Sequence, residues 1–248
     1  MADNRLRGAG ETFVREHEVY FAKLAEQAER YDEMAAHMRQ ASLMHTELDP
    51  EEQNLLAVAY KQAVGQRRSQ WRVVSSVERE EEEKGSAPTA ASSRQYRRKI
   101  ENELRELCHT ILALLTDHLI PRCTSAEAKV TYHKAEGDYH RYIAEISDDV
   151  DKTREATKAK HAYEDGTKVA EESLAVTSNF RLGLALNHAV FYYEVMRDPA
   201  EAIRIARKAY EDAVREIDSL GEEGAQDSTL IMQLLRDNLA YWTSEPDM

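Results

Sequence analysis

Three features of the sequence predict an all-α protein. Apolar residues recur at helical rather than alternating spacing in nearly every segment after Val14. The 9 glycines and 5 prolines among 248 residues fall mostly where a helix would start or stop. The links between periodic segments are short, which sets successive helices side by side. The expectation is nine antiparallel helices in a bundle or solenoid without internal domain boundaries, and the 42% hydrophobic content is enough for a sizeable core.

Residues 1–14, MADNRLRGAGETFV, read as a flexible polar extension, because Gly8 and Gly10 make its first part poorly helical. A first helix follows from about Arg15 to Gln27, with Val19, Leu24 and Ala28 spaced for one face, and a second from Tyr31 to Met44. Asp49-Pro50-Glu51-Glu52 supplies an N-cap, a proline at the first helical position and acid in the first turn, opening a third helix to about Glu83. The run EREEEEKGSAPTAASS is a solvated helix end followed by a loop, with the fourth helix from about Arg94 to Leu119. Ile120-Pro121 reads as a break, and Thr124-x-x-Glu127 as a capping box opening a fifth helix to about Ile146. A sixth, strongly charged helix spans Asp148 to roughly Leu174, and a seventh Arg181 to Met196. Asp198-Pro199-x-Glu201 caps an eighth that ends near Leu220; Gly221 to Gln226 reads as a loop before a ninth, Asp227 to Trp242. One domain therefore covers 15–244, with a short tail at 245–248.

The net charge of −13 argues against a general nucleic-acid or membrane-surface binder, and no apolar run approaches the ~18 residues of a membrane span. The N-terminal residues lack the apolar core of a signal peptide and the Arg/Ser amphipathicity of a transit peptide. Cys108 and Cys123 lie too far apart for a CxxC pair and suggest no disulfide framework, so a cytoplasmic, reducing setting is expected. Catalysis finds little support. Glu106-x-x-His109 has the spacing of a carboxylate-bridged metal helix, yet no second Glu-x-x-His accompanies it, and the other histidines show no zinc-ligand spacing. No Gly-rich phosphate loop or nucleophile elbow is present. Neither a metal nor a cofactor is expected.

Binding has more behind it. Along Asn54–Glu78, Arg68 and Arg72 fall about 20° to either side of Lys61, so three cations share one stripe. Leu55, Leu56, Val58, Val64, Trp71 and Val74 occupy other sectors, free to pack against neighbours. In so acidic a chain the stripe asks for an anion. On the fifth helix Tyr142 follows Arg141, and Lys134, seven residues earlier, faces nearly the same way. By itself the Arg-Tyr pair is an ordinary rim contact. Beside the stripe, Arg forks and a Lys suit a phosphate dianion, with the Tyr hydroxyl as a neutral donor. Asn187, Val190 and Glu194 share a face of the seventh helix; Leu234 and Asn238, flanked by Leu230 and Trp242, share one of the ninth. An amide offers both donor and acceptor to the main chain of an extended peptide. The segment LGLALNHAVFYYEVMRDPAEAIRIARKAYEDA has the small-residue and aromatic spacing of a tetratricopeptide helix pair, which favours stacked hairpins around a concave groove.

The blocks NLLAVAYKQAVGQRRSQWRVVSSVE and DSTLIMQLLRDNLAYWTSE, with LAEQAERYDEM, GDYHRY and RLGLALN..VFYYE before and between them, resemble those of 14-3-3 proteins, and the similarity covers Leu24 to Ser244. It implies nine helices around a concave amphipathic groove, a dimer formed through the N-terminal helices, and a non-catalytic adaptor that clamps phosphoserine- or phosphothreonine-containing client proteins. Carried over by position, it assigns the phosphate to Lys61, Arg68, Arg141 and Tyr142, with Arg72 as supporting cation and Lys134 as a further groove lysine. Asn187 and Asn238 would hold the peptide backbone, Glu194 and Trp242 the groove wall, and Leu186, Val190, Leu230 and Leu234 its apolar side. At the dimer interface it places Leu24 and Ala28 of one chain near Val74 and Tyr96 of the other, with Arg30–Glu103 and Glu33–Lys99 as inter-subunit pairs. The partner is a second copy or a paralogue.

Departures from the family pattern bear on regulation and partner choice. Gln70 stands where many members have a serine before the tryptophan, the N-terminus is longer than usual, LAVTSNF replaces a proline-containing segment, and the acidic tail is short. The rival reading is a tetratricopeptide-like scaffold binding unphosphorylated peptides.

Overall fold

The computed structural model describes residues 2–44, 47–216 and 222–244, and the side chains of 13–44, 47–216 and 228–244. Among them are nine helices and no strand: the fold is all-α. Contacts gather the chain into two compact units, Met1–Arg122 and Cys123–Met248.

In the first unit, α1 (Ala2–Gln27) packs on α2 (Tyr31–Leu43), α2 on α3 (Pro50–Glu83), and α3 on α4 (Ala87–Leu114). Helix α3 begins as the sequence indicates. The Asp49 side chain accepts from the Glu52 amide at 2.9 Å and the Glu52 carboxylate accepts from the Asp49 amide at 2.9 Å, with Pro50 at the first helical position. Glu52 also takes the Arg15 guanidinium, whose Nε lies 2.8 Å away, so one carboxylate caps α3 and ties α1 to it. The α3 C-terminus closes on Gly85 at φ +74, where the Ser86 amide reaches the Glu81 carbonyl and the Gly85 amide the Glu82 carbonyl, both at 3.0 Å. Arg94 and Arg97 then clamp Glu78 at 2.8 and 2.6 Å, and the Trp71 indole donates to Glu101 at 3.0 Å, which locks α3 to α4. Tyr60, Val64, Met34, Met38, Leu104 and Leu115 are fully buried between these helices.

The second unit holds α5 (Ala126–Glu145), α6 (Asp149–Ser173), α7 (Asn179–Phe191), α8 (Pro199–Glu216) and α9 (Glu222–Ser244). Helix α5 lies along α6, both touch α7, and α8 and α9 pack on α7 and on each other. Tyr163, Leu182, Leu184, Phe191 and Leu235 form its core. Gly137 is what lets α5 and α6 approach: a Cβ there would meet the buried Tyr163 ring at 2.7 Å.

Several boundaries differ from the sequence reading. Helix α1 starts at Ala2 rather than Arg15; isolated glycines cost about 1 kcal/mol each and do not by themselves stop a helix. Helix α4 starts at Ala87 rather than Arg94, because Pro88 sits in the first turn, where a missing N–H costs nothing. Pro121 does not break the chain: α4 continues through a π-helical turn, Leu115–Leu119, to Ile120–Arg122, the wider turn absorbing the residue that cannot donate. The fifth helix is capped by Ser125, which accepts from the Ala128 amide at 3.4 Å, rather than by Thr124. Helix α7 likewise continues through a π-helical turn, Tyr192–Met196. Helix α9 starts at Glu222 instead of Asp227. The end of the eighth helix near Leu220, Gly221 and the tail 245–248 lie outside the described residues.

Replacing Gly137 with alanine is expected to destabilise the protein by ~1–3 kcal/mol through overpacking against Tyr163. A lowered midpoint in chemical denaturation checks this.

Candidate functional site

In the first unit, helix α3 carries Lys61 and Arg72 exposed and Arg68 half-buried. Among the described residues Lys61 and Arg72 make no ion pair. Neighbouring Arg67, on another face, is held by Asp32 at 2.7 Å and Glu103 at 3.6 Å. Among the described residues Lys61 and Arg72 therefore stand apart from the ion pairs that tie α3 to its neighbours.

In the second unit the site is organised by a residue the sequence reading passed over. Asp138, 7% exposed, lies on α5 between Lys134 and Arg141. Lys134 Nζ is 3.0 Å from its Oδ2, and Arg141 Nη2 donates to its Oδ1 at 3.1 Å. The Tyr163 hydroxyl of α6 donates to Oδ1 at 2.6 Å, and Asn187 of α7 donates to both oxygens at 2.9 and 2.8 Å. Burial pushes the Asp138 carboxyl up, but the charges of Lys134 and Arg141 and the Tyr163 hydroxyl outweigh it and hold its pKa at about 2. The same contacts keep Arg141 charged: burial opposes its guanidinium, and Tyr163 and Asp138 more than compensate. Lys134 is held protonated chiefly by Asp138.

Arg141 also approaches Glu145 at 3.4 Å and Glu194 at 3.9 Å, and its guanidinium lies 4.7 Å from the centre of the Tyr142 ring. Three predicted residues, Lys134, Arg141 and Asn187, thus meet on the Asp138 carboxylate, and two more, Tyr142 and Glu194, meet Arg141. Leu186 and Val190 are half-buried on α7, and Asn238 is half-buried on α9. On α9, Leu230 and Leu234 are 66% and 46% exposed, an apolar surface that α9 leaves open. Trp242 is buried and stacks on Tyr193 with ring centres 4.9 Å apart, so it supports the wall more than it lines it.

A family model described as 14-3-3 protein matches residues 21–243. The chain belongs to the 14-3-3 family. It is 50% identical over 231 residues to 14-3-3 protein 9 of Solanum lycopersicum, covering 93% of this chain and 88% of the relative. It is 51% identical over 231 residues to 14-3-3 protein epsilon of Drosophila melanogaster, with the same coverage. The Checkpoint signal transducer rad25 of Schizosaccharomyces pombe is 48% identical over 233 residues, 94% of this chain and 86% of that one. The match takes in most of each unit.

The residues expected at a 14-3-3 dimer interface lie on the first unit. Leu24 and Tyr96 are 40% and 57% exposed, and Ala28 is exposed too. Gln70, Val74, Tyr96, Lys99 and Glu103 line a hollow of about 590 Å³ between α3 and α4. The charges assigned to inter-subunit pairs also meet partners within the chain, Arg30 with Glu33 and Lys99 with Glu103. Among the described residues no helix is long and apolar enough to cross a membrane, and no cluster of three His, Cys, Asp or Glu side chains is formed, Glu106 and His109 included.

Asp138 was within reach of the sequence, since it stands four residues after Lys134 and three before Arg141, on the face both cations share. Tyr163 carried no such signal. Because the Asp138 pKa is lowered in the fold, its stabilisation is complete above the ordinary value of 3.8 and is lost as pH falls toward 2. Asp138→Asn should cost ~3–5 kcal/mol at neutral pH by leaving Arg141 buried without its counter-charge, and should flatten the acid limb between pH 4 and 2. Denaturation series at stepped pH read both effects.

Proposed function

We propose that this 14-3-3 protein is a non-catalytic dimeric adaptor that binds phosphoserine- and phosphothreonine-containing segments of client proteins. The observation that carries the reading is the pair of exposed cations Lys61 and Arg72 on α3: in a chain of net charge −13, neither makes an ion pair among the described residues. In this reading Lys61, Arg68, Arg141 and Tyr142 take the phosphate, and Arg72 and Lys134 add charge at its edge. Pre-organisation supports the assignment to Arg141, whose guanidinium is already aimed and desolvated by Asp138, so little ordering entropy is left to lose on binding. Asn187 has its amide nitrogen committed to Asp138 and offers its oxygen to a peptide N–H. Asn238 makes the second main-chain contact, and Leu186, Val190, Leu230 and Leu234 receive apolar side chains, with Glu194 and Trp242 at the wall.

Self-association through α1, α3 and α4 completes the proposal. Leu24 and Ala28 of one copy cover Val74 and Tyr96 of the other beside Gln70, and Arg30, Glu33, Lys99 and Glu103 exchange their partners within the chain for partners across the interface. Exposed pairs of this kind are worth ~0–1 kcal/mol, so apolar burial drives association and the charges set register. Two sites on one dimer gain up to ~10²–10⁴ in avidity for a doubly phosphorylated client. Buried, unbridged Cys108 and Cys123 suit action in the cytoplasm.

Lys61→Glu is expected to leave the circular dichroism unchanged and weaken a phosphoserine peptide by about 100-fold or more in calorimetry. Equal wild-type affinity for the phosphorylated and unphosphorylated forms would overturn the reading in favour of a scaffold for unmodified peptides. In sedimentation, Leu24→Glu with Tyr96→Glu should move a micromolar sample from dimer toward monomer.

A further inference from the structure

The second unit contains a cavity that the proposed phosphopeptide site does not use. It measures about 360 Å³ and lies among α6, α7 and α8, floored by Ala170, Leu182, Leu184, Ala185, Ile205 and Ala209. That volume is in the range of small-molecule sites. Glu171, Arg181, Arg204, Lys208 and Asp212 bring charge to its lining, and all but one are matched. Lys208 is 2.5 Å from Glu171, Arg204 makes two bonds of 2.6 Å to Glu201, and Arg215 donates to Asp212 at 2.8 Å.

Arg181 is the exception. It is half-buried, and among the described residues it makes no ion pair. Its Nη1 donates to the Leu174 carbonyl at 2.9 Å and to the Ala170 carbonyl at 3.5 Å, so the side chain reaches from the first turn of α7 to the end of α6. Ala170, Glu171 and Val176, which flank those carbonyls along the chain, all line the cavity, and this sets the guanidinium itself at the wall. Glu171 registers the charge: its carboxyl is held below the ordinary value chiefly by Lys208, against burial, with Arg181 and Arg204 adding to the effect. Two carbonyls hold the guanidinium in place without cancelling a full charge. Nε and Nη2 donate to nothing among the described residues. Neither belongs to the buried polar atoms left without a partner, so both keep accessible surface. These two nitrogens form one edge of the guanidinium plane, and that edge matches the two oxygens of a carboxylate.

We propose that this cavity binds a monoanion, a carboxylate on an apolar body of about ten carbons, with the body on the aliphatic floor and the carboxylate on the Nε–Nη2 edge of Arg181. One unmatched cation rewards one negative charge. A dianion would turn its second charge toward Glu171 and Asp212. The site uses none of the groups assigned to phosphate and peptide, so it binds with or without a client.

The probes are 2-naphthoate and 2-naphthamide, which share size and shape but differ in charge. Titrated into the full ¹⁵N-labelled chain at neutral pH, 2-naphthoate is expected to perturb the Arg181 Nε–H and the amides of Leu184, Ala185, Ile205 and Ala209. It should bind about tenfold more tightly than the amide, the equivalent of one charge-assisted bond. Arg181→Gln keeps an N–H for the Leu174 carbonyl and loses the charge, so it should bind the two probes equally. Should that variant fail to fold, the wild-type comparison of the two probes still decides. Lys61→Glu should bind 2-naphthoate as the wild type does, whatever becomes of its affinity for a phosphopeptide. Equal wild-type affinity for the two probes, perturbations confined to other residues, or loss of 2-naphthoate binding in Lys61→Glu would each overturn the proposal.

Discussion

A single buried carboxylate holds the second unit's functional face in place. Asp138 receives Lys134 and Arg141 from its own helix, Tyr163 from α6 and Asn187 from α7, so three helices are pinned to one charge. Isolated, a buried carboxylate would be protonated or would destabilise the fold. Here the surrounding donors keep it ionised, and in return it fixes the direction of the cations. The arrangement requires close approach of α5 and α6, which the missing side chain of Gly137 permits. Removing Asp138 takes from Lys134, Arg141, Tyr163 and Asn187 the acceptor they share, and for that reason packing and the direction of the cations are inseparable at this point.

The two units solve different electrostatic problems. In the first, acids and bases are matched across helices: Arg15 with Glu52, Arg67 with Asp32, and Arg94 and Arg97 with Glu78. These pairs set the register of α1 through α4. Against that matching, the cations of the Lys61 stripe that lack an acid stand out, and the excess of acid elsewhere in the chain makes the contrast sharper. In the second unit the cations are pre-aimed by a buried acid. An anion meeting Arg141 meets a guanidinium whose desolvation cost was met on folding, which is the condition under which charge-assisted bonds add affinity.

His188 shows a different consequence of close packing. Enclosed by Tyr163, Tyr192 and Thr167, it is kept neutral by burial, which lowers its pKa to about 4. One of its nitrogens is buried without a hydrogen-bond partner among the described residues. Neither periodicity nor resemblance to a family points to such a residue, because its character depends on which edges of the ring its neighbours occupy.

The sequence by itself determined the all-α class, the caps at Asp49 and Asp198, the family, and the cationic stripe on α3. Each of these depends on spacing along one helix or on residues adjacent in the chain, and such relations survive in a linear string. Pro88 and Pro121 both lie within helix, because a proline signals a helix end only until its position within the turn is known. Thr124 lost the cap to Ser125 for a similar reason, one residue of register being beyond what a pattern resolves. Tertiary structure alone decided that Asp138 is the centre of the site, that Tyr163 and Asn187 bind it, and that His188 has an unpaired nitrogen. Those facts join residues up to 49 positions apart, whose meeting is set by how helices pack and not by what any one helix contains.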